Sequence, residues 1–429
     1  DQAIADTATG AVIVQGGVAG SVAYSSGPGA ITDWTTADFT NYQQAMTYDA
    51  NAQKLVIFYA SGLNSNNGYY VVGTVSGTSL SFGTPGLVSA VPVQWQDITY
   101  DANSQKVVAV YNNGADADHG YAVVGTVSGT SVTWGTPVKF ESGAVYYNSV
   151  VYDSNSQKVV ISYYDSGNSN YGTSIVGTVS GTSISFGTAV VFESASTSWV
   201  SSIFDSTNNK IIIGYRDVGN SNYGTAIVGT VSGTSISFGS PTVFEASATD
   251  VISLAYDANA NKVVVAYRDT DNSNAGTSVV GTVSGTSISF GSPVVFQASG
   301  MANQLNDITA QYDPSTQTVL IGFRDNGDGN YGKTVVGTVS GTSISFTTPA
   351  TFNQNTTVGI ITAYDANQQK MVIAFDQQGT TPDTKAFVYT PDTTLTPNTD
   401  YYVQSDGTLS TTVSSVPAGR ALSSTSILL

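Results

Sequence analysis

The sequence contains no cysteine and a single histidine, His119. That excludes disulfide scaffolds, cysteine nucleophiles, Cys/His zinc sites and most histidine-based triads. The missing cysteines leave the redox compartment open, because oxidising compartments permit disulfides without requiring them. Charge is scarce as well. Charged residues make up 10% of the chain, against about 25% in an average soluble domain. Only 13 are basic against 30 acidic, for a net charge of −17. The chain therefore lacks a broad cationic surface for phosphates, and nucleic acid is not an expected partner. No apolar run approaches the ~20 residues of a membrane-spanning helix. The chain opens on Asp1 rather than Met, which points to processing, and no signal-peptide pattern is visible.

What the 429 residues do have is glycine, 44 of them, and a repeat. The block VGTVSGTS recurs with its leading valine at Val72, Val124, Val176, Val228, Val280 and Val336. An aromatic residue followed by aspartate recurs at Tyr48-Asp49, Tyr100-Asp101, Tyr152-Asp153, Phe204-Asp205, Tyr256-Asp257, Tyr312-Asp313 and Tyr364-Asp365. Both series step by 52 residues, with one step of 56. The four extra residues fall between Phe296 and Tyr312.

Each period reads as four strands. In the third they are 148–152, 158–164, 173–179 and 182–186, the last continued by AVVFE. The turn DSNSQ, the loop DSGNSNYG and a two-residue hairpin at Ser180-Gly181 separate them. In TSISF, Ile184 and Phe186 share one face and Ser185 takes the other, the period of 2 of a strand. The run KVVISYY is apolar on both faces and needs cover on both sides. Four antiparallel strands repeated at this interval predict a β-propeller, with an open solenoid as the main rival.

Seven aromatic-Asp markers predict seven four-stranded blades. Trp34 lies 14 residues before the first marker and matches Phe82 as an outer strand, while the last unit has no TSISF. The N-terminal strand is thus expected to complete the C-terminal blade, which closes the ring and removes its exposed edges. The predicted organisation is an N-terminal β-hairpin segment over 1–30, an all-β seven-bladed propeller over 31–390, and a small C-terminal β module over 391–429 packing with the N-terminus.

Strand order puts the second-to-third loops and the interblade segments after VVFES on one face. The candidate ligand-binding residues lie there: Arg216, Asp217 and Tyr223; Arg268 and Asp269; Arg324, Asp325 and Tyr331; and Tyr171 of the third unit. One reading is a ring of shallow polar-aromatic glycan sites that gains avidity by repetition. The other is that each Arg pairs with an Asp and locks the ring. Asp153 and Asp257 open D-x-N-x-x-K turns that fit a hairpin better than a calcium loop. His119 is expected to be solvated. Glu141, Glu193 and Glu245 follow the repeat, which suggests architecture rather than a glycosidase pair. The one break in the repeat, GMANQLN at 300–306, carries no acid or base. The chain is accordingly expected not to be an enzyme, with no catalytic residues, metal or cofactor.

The units GNSNYGTSIVGTVSGTSISFG and YDANANKVVVAYRD resemble repeats of structural and fibre proteins of tailed bacteriophages, notably phages of marine bacteria. The stretch LTPNTDYYVQSDGTLST and the ending AGRALSSTSILL are similar to a module that closes many phage tail and virion proteins. The resemblance implies a virion component: a fibre, knob or capsid decoration that meets neighbouring virion proteins through its terminal segments and contacts host-surface glycan. A homo-oligomer is compatible with it. It transfers no catalytic residues. A secreted lectin-like bacterial adhesin and a propeller-type carbohydrate depolymerase remain the alternatives.

Overall fold

A computed structural model describes residues 30–34, 39–304, 306–379 and 384–390, together with six short terminal strands. The described residues are all-β apart from two three-residue 3-10 turns, Gly62–Asn64 and Ser166–Asn168. No helix among them is long and apolar enough to cross a membrane.

The third repeat illustrates the rest. Its inner strand is the second half of Val138–Asp153, followed by Lys158–Asp165, Tyr171–Ser180 and Ser183–Phe186, all antiparallel. Asp153 Oδ1 accepts hydrogen bonds from the N–H groups of Asn155 and Ser156, which fixes the first turn. Gly181 takes φ 61 in the hairpin, and Ser180 pairs with Ser183. The turn is therefore Gly181-Thr182, one residue later than the sequence suggests. The second strand is sealed from both sides: Val159, Val160 and Ile161 are fully buried. Each such side chain contributes about 1.5–3 kcal/mol.

The expected loop between repeats is absent from most joints. A single strand, Val190–Asp205, first extends the outer edge of the third repeat, with Ser174 opposite Val190 and Gly172 opposite Glu193. It then crosses over and becomes the inner strand of the fourth repeat, with Ile203 opposite Ile212. Gly86–Asp101, Val138–Asp153 and Thr242–Asp257 do the same. Two joints split such a strand: the 300–306 insertion separates Val294–Gln297 from Ile308–Asp313, and residues 354–356 separate Ala350–Asn353 from Thr357–Asp365. Physically, a backbone that passes from edge to inner strand without leaving the ladder leaves few amides unpaired.

At each crossing an outer-strand aromatic packs on the second strand of the next repeat. Ring centroids are 5.3 Å apart for Phe140–Tyr163, 5.2 Å for Phe192–Tyr215 and Phe244–Tyr267, 5.4 Å for Phe296–Phe323 and 5.1 Å for Phe352–Phe375. The phenylalanine lies over the glycine of the repeated Tyr-Gly: a Cβ on Gly172 would come within 2.4 Å of the Phe192 ring.

The N-terminal strand does join the seventh repeat. Thr32 pairs with Ala386 and Asp33 with Lys385. Trp34 then meets Tyr59 of the first repeat at 5.1 Å, the same contact that Phe192 makes with Tyr215. Trp34 is thus the counterpart of Phe192, not of Phe82 as its spacing suggested. The register explains the slip. Ala386 stands where Ser174 stands, so Thr32 occupies the place of Val190. Inner strands of successive repeats lie side by side, and that of the seventh, Thr357–Asp365, packs on that of the first, Phe39–Asp49. The Gln44 side-chain amide donates to Gly359 O across this joint.

The terminal strands form their own sheets. Gln2–Ala5 pairs with Val12–Gln15, inside the segment 1–30 read as a hairpin from the sequence. Asp400–Val403 pairs with Leu409–Ser410 and Val416–Ala421, and the apolar tail adds Ile427–Leu428.

Candidate functional site

The inner strands converge on a central axis, and most enter it through a bulge. The register jumps between Gln94 and Asp97, Tyr146 and Ser149, Ser198 and Ser201, Asp250 and Ser253, and Val358 and Ile361. A bulge adds a residue and re-aims a side chain. Here the added residue is left-handed: Trp95, Tyr147 and Trp199 at φ 52, Val251 at φ 50 and Gly359 at φ 60, with Asn306 at φ 59 in the sixth repeat. For bulky or β-branched residues this is a steric outlier, costing about 1–3 kcal/mol each.

The three strained aromatics form a shelf. Trp95 and Tyr147 have centroids 4.3 Å apart, Tyr147 and Trp199 5.3 Å. Tyr146 and Tyr164 stand behind, edge-on at 5.5 Å. The shelf lines an axial cavity of about 210 Å³ to which all seven repeats contribute, among them Gln44, Asp97, Asn148, Ser201, Ser253, Thr309 and Thr362. That is room for several waters, or for one sugar-sized ring. Asn148 Oδ1 and Gln44 Oε1 are buried in this lining without a hydrogen-bond partner among the described residues.

Along the same lining, a hydrogen-bonded girdle links the repeats. Asp97 Oδ2 accepts from Val150 N–H at 2.8 Å, Ser149 Oγ from Ser202 N–H at 2.9 Å, Ser201 Oγ from Leu254 N–H at 3.3 Å, and Ser253 Oγ from Ala310 N–H at 3.0 Å. Thr309 and Thr362 join their hydroxyls at 2.8 Å. Desolvation at this half-buried position on the cavity wall pushes the Asp97 carboxyl up to about 7, despite the N–H bonds from Val150 and Ile98 that oppose the shift.

The residues singled out from the sequence separate into two groups. Arg216, Arg268 and Arg324 stand beside the bulges, with Arg216 opposite Ser198 and Arg268 opposite Asp250. Arg324 N–H donates to Asp307 O. The next residue on each strand faces the other way. Asp217 and Asp269 each cap their own loop by accepting from Asn220 and Asn272 N–H. Asp325 binds Lys333 at 2.8 Å and Gln297 at 2.9 Å. Tyr171, Tyr223 and Tyr331 open the third strands, level with Asp165, Asp217 and Asp325. Arg and Asp of one dipeptide therefore do not share a site.

Two of the arginines are neutralised within their own repeat. Arg268 Nε and Nη2 bind the two oxygens of Asp250 at 2.7 and 2.6 Å, and Nη1 reaches Asn274. Arg324 Nη2 binds Asp307 Oδ2 at 2.7 Å. Asp307 is fully buried, and burial pushes its carboxyl up to about 6, with Arg324 and then Arg268 pulling it back.

The recurring glutamates tie repeats together: Tyr163, Tyr215 and Tyr267 donate to Glu141, Glu193 and Glu245 at 3.0, 2.9 and 2.8 Å. His119 is not merely solvated. Its Nδ1 lies 3.2 Å from Asp116 Oδ2, which also accepts from Lys139 and Tyr121. Lys139, with Tyr121, holds the Asp116 carboxyl down to about 2.

Sequence reasoning missed the shelf. The signal was there: Trp95, Tyr147 and Trp199 lie 52 residues apart, each five before its marker, in segments otherwise rich in Gln, Asn and Ser. The bulge that turns them to the axis leaves no mark on composition.

No family model matches the chain, and no curated protein matches it in sequence. Solved structures share its shape. A chain of the mitotic checkpoint complex aligns with a TM-score of 0.54 at 10% identity, covering 85% of this chain and 95% of that one. The periplasmic gluconolactonase of Pseudomonas aeruginosa aligns with a TM-score of 0.51 at 11% identity, covering 72% and 86%. These likenesses define the class, an all-β propeller-like fold, and no more. They also correct one expectation. The absence of enzymatic activity was inferred from residues that follow the repeat, yet a gluconolactonase is built on this fold. Fold alone does not decide whether a chain is a catalyst; side chains grafted on it do.

Proposed function

We propose that the chain is a seven-bladed β-propeller with four-stranded blades that binds carbohydrate at its axial mouth, and that it serves on the surface of a bacteriophage particle. The observation that carries the binding reading is the shelf of Trp95, Tyr147 and Trp199, held at left-handed φ beside a polar cavity. The same left-handed bulge recurs in repeats without the aromatics, so what marks this stretch is that three consecutive repeats place Trp or Tyr on it. Flat aromatic faces next to hydroxyl and amide groups suit a sugar ring, which offers C–H groups on its faces and hydroxyls on its edges. The mouth replaces the ring of separate Arg-Asp-Tyr sites as the proposed site, because it gathers residues from every repeat.

The phage assignment is supported by the resemblance of the repeats and of the C-terminal module. The terminal sheets are then the parts that meet neighbouring virion proteins. A glycan array probed with the full chain tests the first part: binding to a defined glycan class is expected, and a blank array removes it. Mass spectrometry of purified particles tests the second. Presence of the chain in multiple copies is expected, whereas glycan binding without particle association assigns the same platform to a secreted adhesin.

A further inference from the structure

The three arginines at the mouth occupy one position in three consecutive repeats, but only two are neutralised. Arg268 has Asp250 and Arg324 has Asp307. At the corresponding place opposite Arg216 the inner strand carries Ser198. Arg216 Nε donates to Asn222 Oδ1 at 3.0 Å, and its Nη1 and Nη2 have no acceptor among the described residues. The guanidinium is partly exposed, not lost to bulk solvent. Its charge is felt at Tyr147, where it opposes the upward effect of burial on the phenol. Ser198, across the ladder from Arg216, is followed directly by Trp199.

This is an unusual place for an uncompensated cation. The chain carries 30 acidic residues against 13 basic ones, and the two sister arginines are paired at short range. A neutral sugar requires no such charge. The end of a guanidinium with both Nη groups available fits a carboxylate in a planar, two-bond arrangement that a lysine cannot reproduce.

We propose that Arg216 and the Trp95–Tyr147–Trp199 shelf together select an acidic sugar, a hexuronate whose carboxylate binds the Nη groups while its ring lies on the aromatics. This rests on the mouth being a carbohydrate site. The test is calorimetric titration of the full chain with oligosaccharides of galacturonate, glucuronate, mannuronate and guluronate, each beside its methyl ester. Acid and ester share ring and linkage and differ in charge. At least one acid is expected to bind tenfold or more tightly than its ester, and Arg216→Gln is expected to bring that ratio to about one. Ser198→Asp, which supplies the carboxylate the sister repeats already have, should also abolish the preference while keeping the arginine. Equal binding of acid and ester by the native chain, or a preference that survives both substitutions, overturns the selection by Arg216 and leaves the mouth as a sugar site. If no acid, ester or neutral glycan binds, both readings fall.

Discussion

The axial mouth has two unlike halves on one backbone. Repeats two to four place Trp95, Tyr147 and Trp199 at the bulge, and the one arginine among them, Arg216, has no acidic partner among the described residues. Repeats five to seven place Val251, Asn306 and Gly359 there, and their arginines are locked to Asp250 and Asp307. The left-handed bulge is common to both halves, so it belongs to the scaffold: a long strand must turn toward the axis after crossing from one sheet to the next. What differs is the side chain placed on it. One half uses the position to present aromatic surface, and the other fills it and neutralises the charge beside it.

The largest expected difference between the halves is in stability. Arg268→Ala leaves Asp250 buried without its cation, and breaking such a pair costs about 3–5 kcal/mol. Arg216→Ala removes no ion pair, and the expected change is within about 0.5 kcal/mol, as for an ordinary surface site. Urea unfolding of the two variants measures this directly. Similar losses from both would mean that Arg216 also holds the ring.

A smaller effect concerns pH. Asp97 titrates at about 7 in the folded chain, against about 3.9 when unfolded. Between those values the folded form holds a proton that the unfolded form has released. Stability is therefore highest below about pH 4 with respect to this group and falls as pH rises to about 7. Asp307, at about 6, acts in the same direction over a narrower window. Asp97→Ser installs the residue that Ser149, Ser201 and Ser253 represent in the neighbouring repeats and keeps an acceptor for Val150 N–H. Its thermal midpoint should decline less between pH 5 and pH 8 than that of the native chain in scanning calorimetry. An unchanged decline would place the titration elsewhere.

The contrast between the halves also marks how far the sequence can be read. The 52-residue period, the Asp-capped turns and the glycine hairpins are local rules, and antiparallel strands recur where they place them. The pairing of the N-terminal strand with the last repeat was legible because one unit lacked what another had spare. The partner of Trp34 was not, because register at a joint 350 residues apart depends on which side chains meet across it, here Trp34 on Tyr59. The crossing strands were read as loops because VVFES and the polar residues after it lack a clear alternation, even though their backbone never leaves the ladder. The shelf escaped notice because an aromatic in a strand reads as core until a bulge rotates it outward.

The most direct measurement pairs one residue from each half. Trp199→Ala and Val251→Ala remove bulge side chains at equivalent positions of adjacent repeats, and both are to be titrated with the glycan that the array identifies. The aromatic half as binding surface predicts a loss of at least about tenfold, or 1.4 kcal/mol, for Trp199→Ala and less than about twofold for Val251→Ala. Equal losses in the two variants, or full affinity retained by Trp199→Ala, would contradict it.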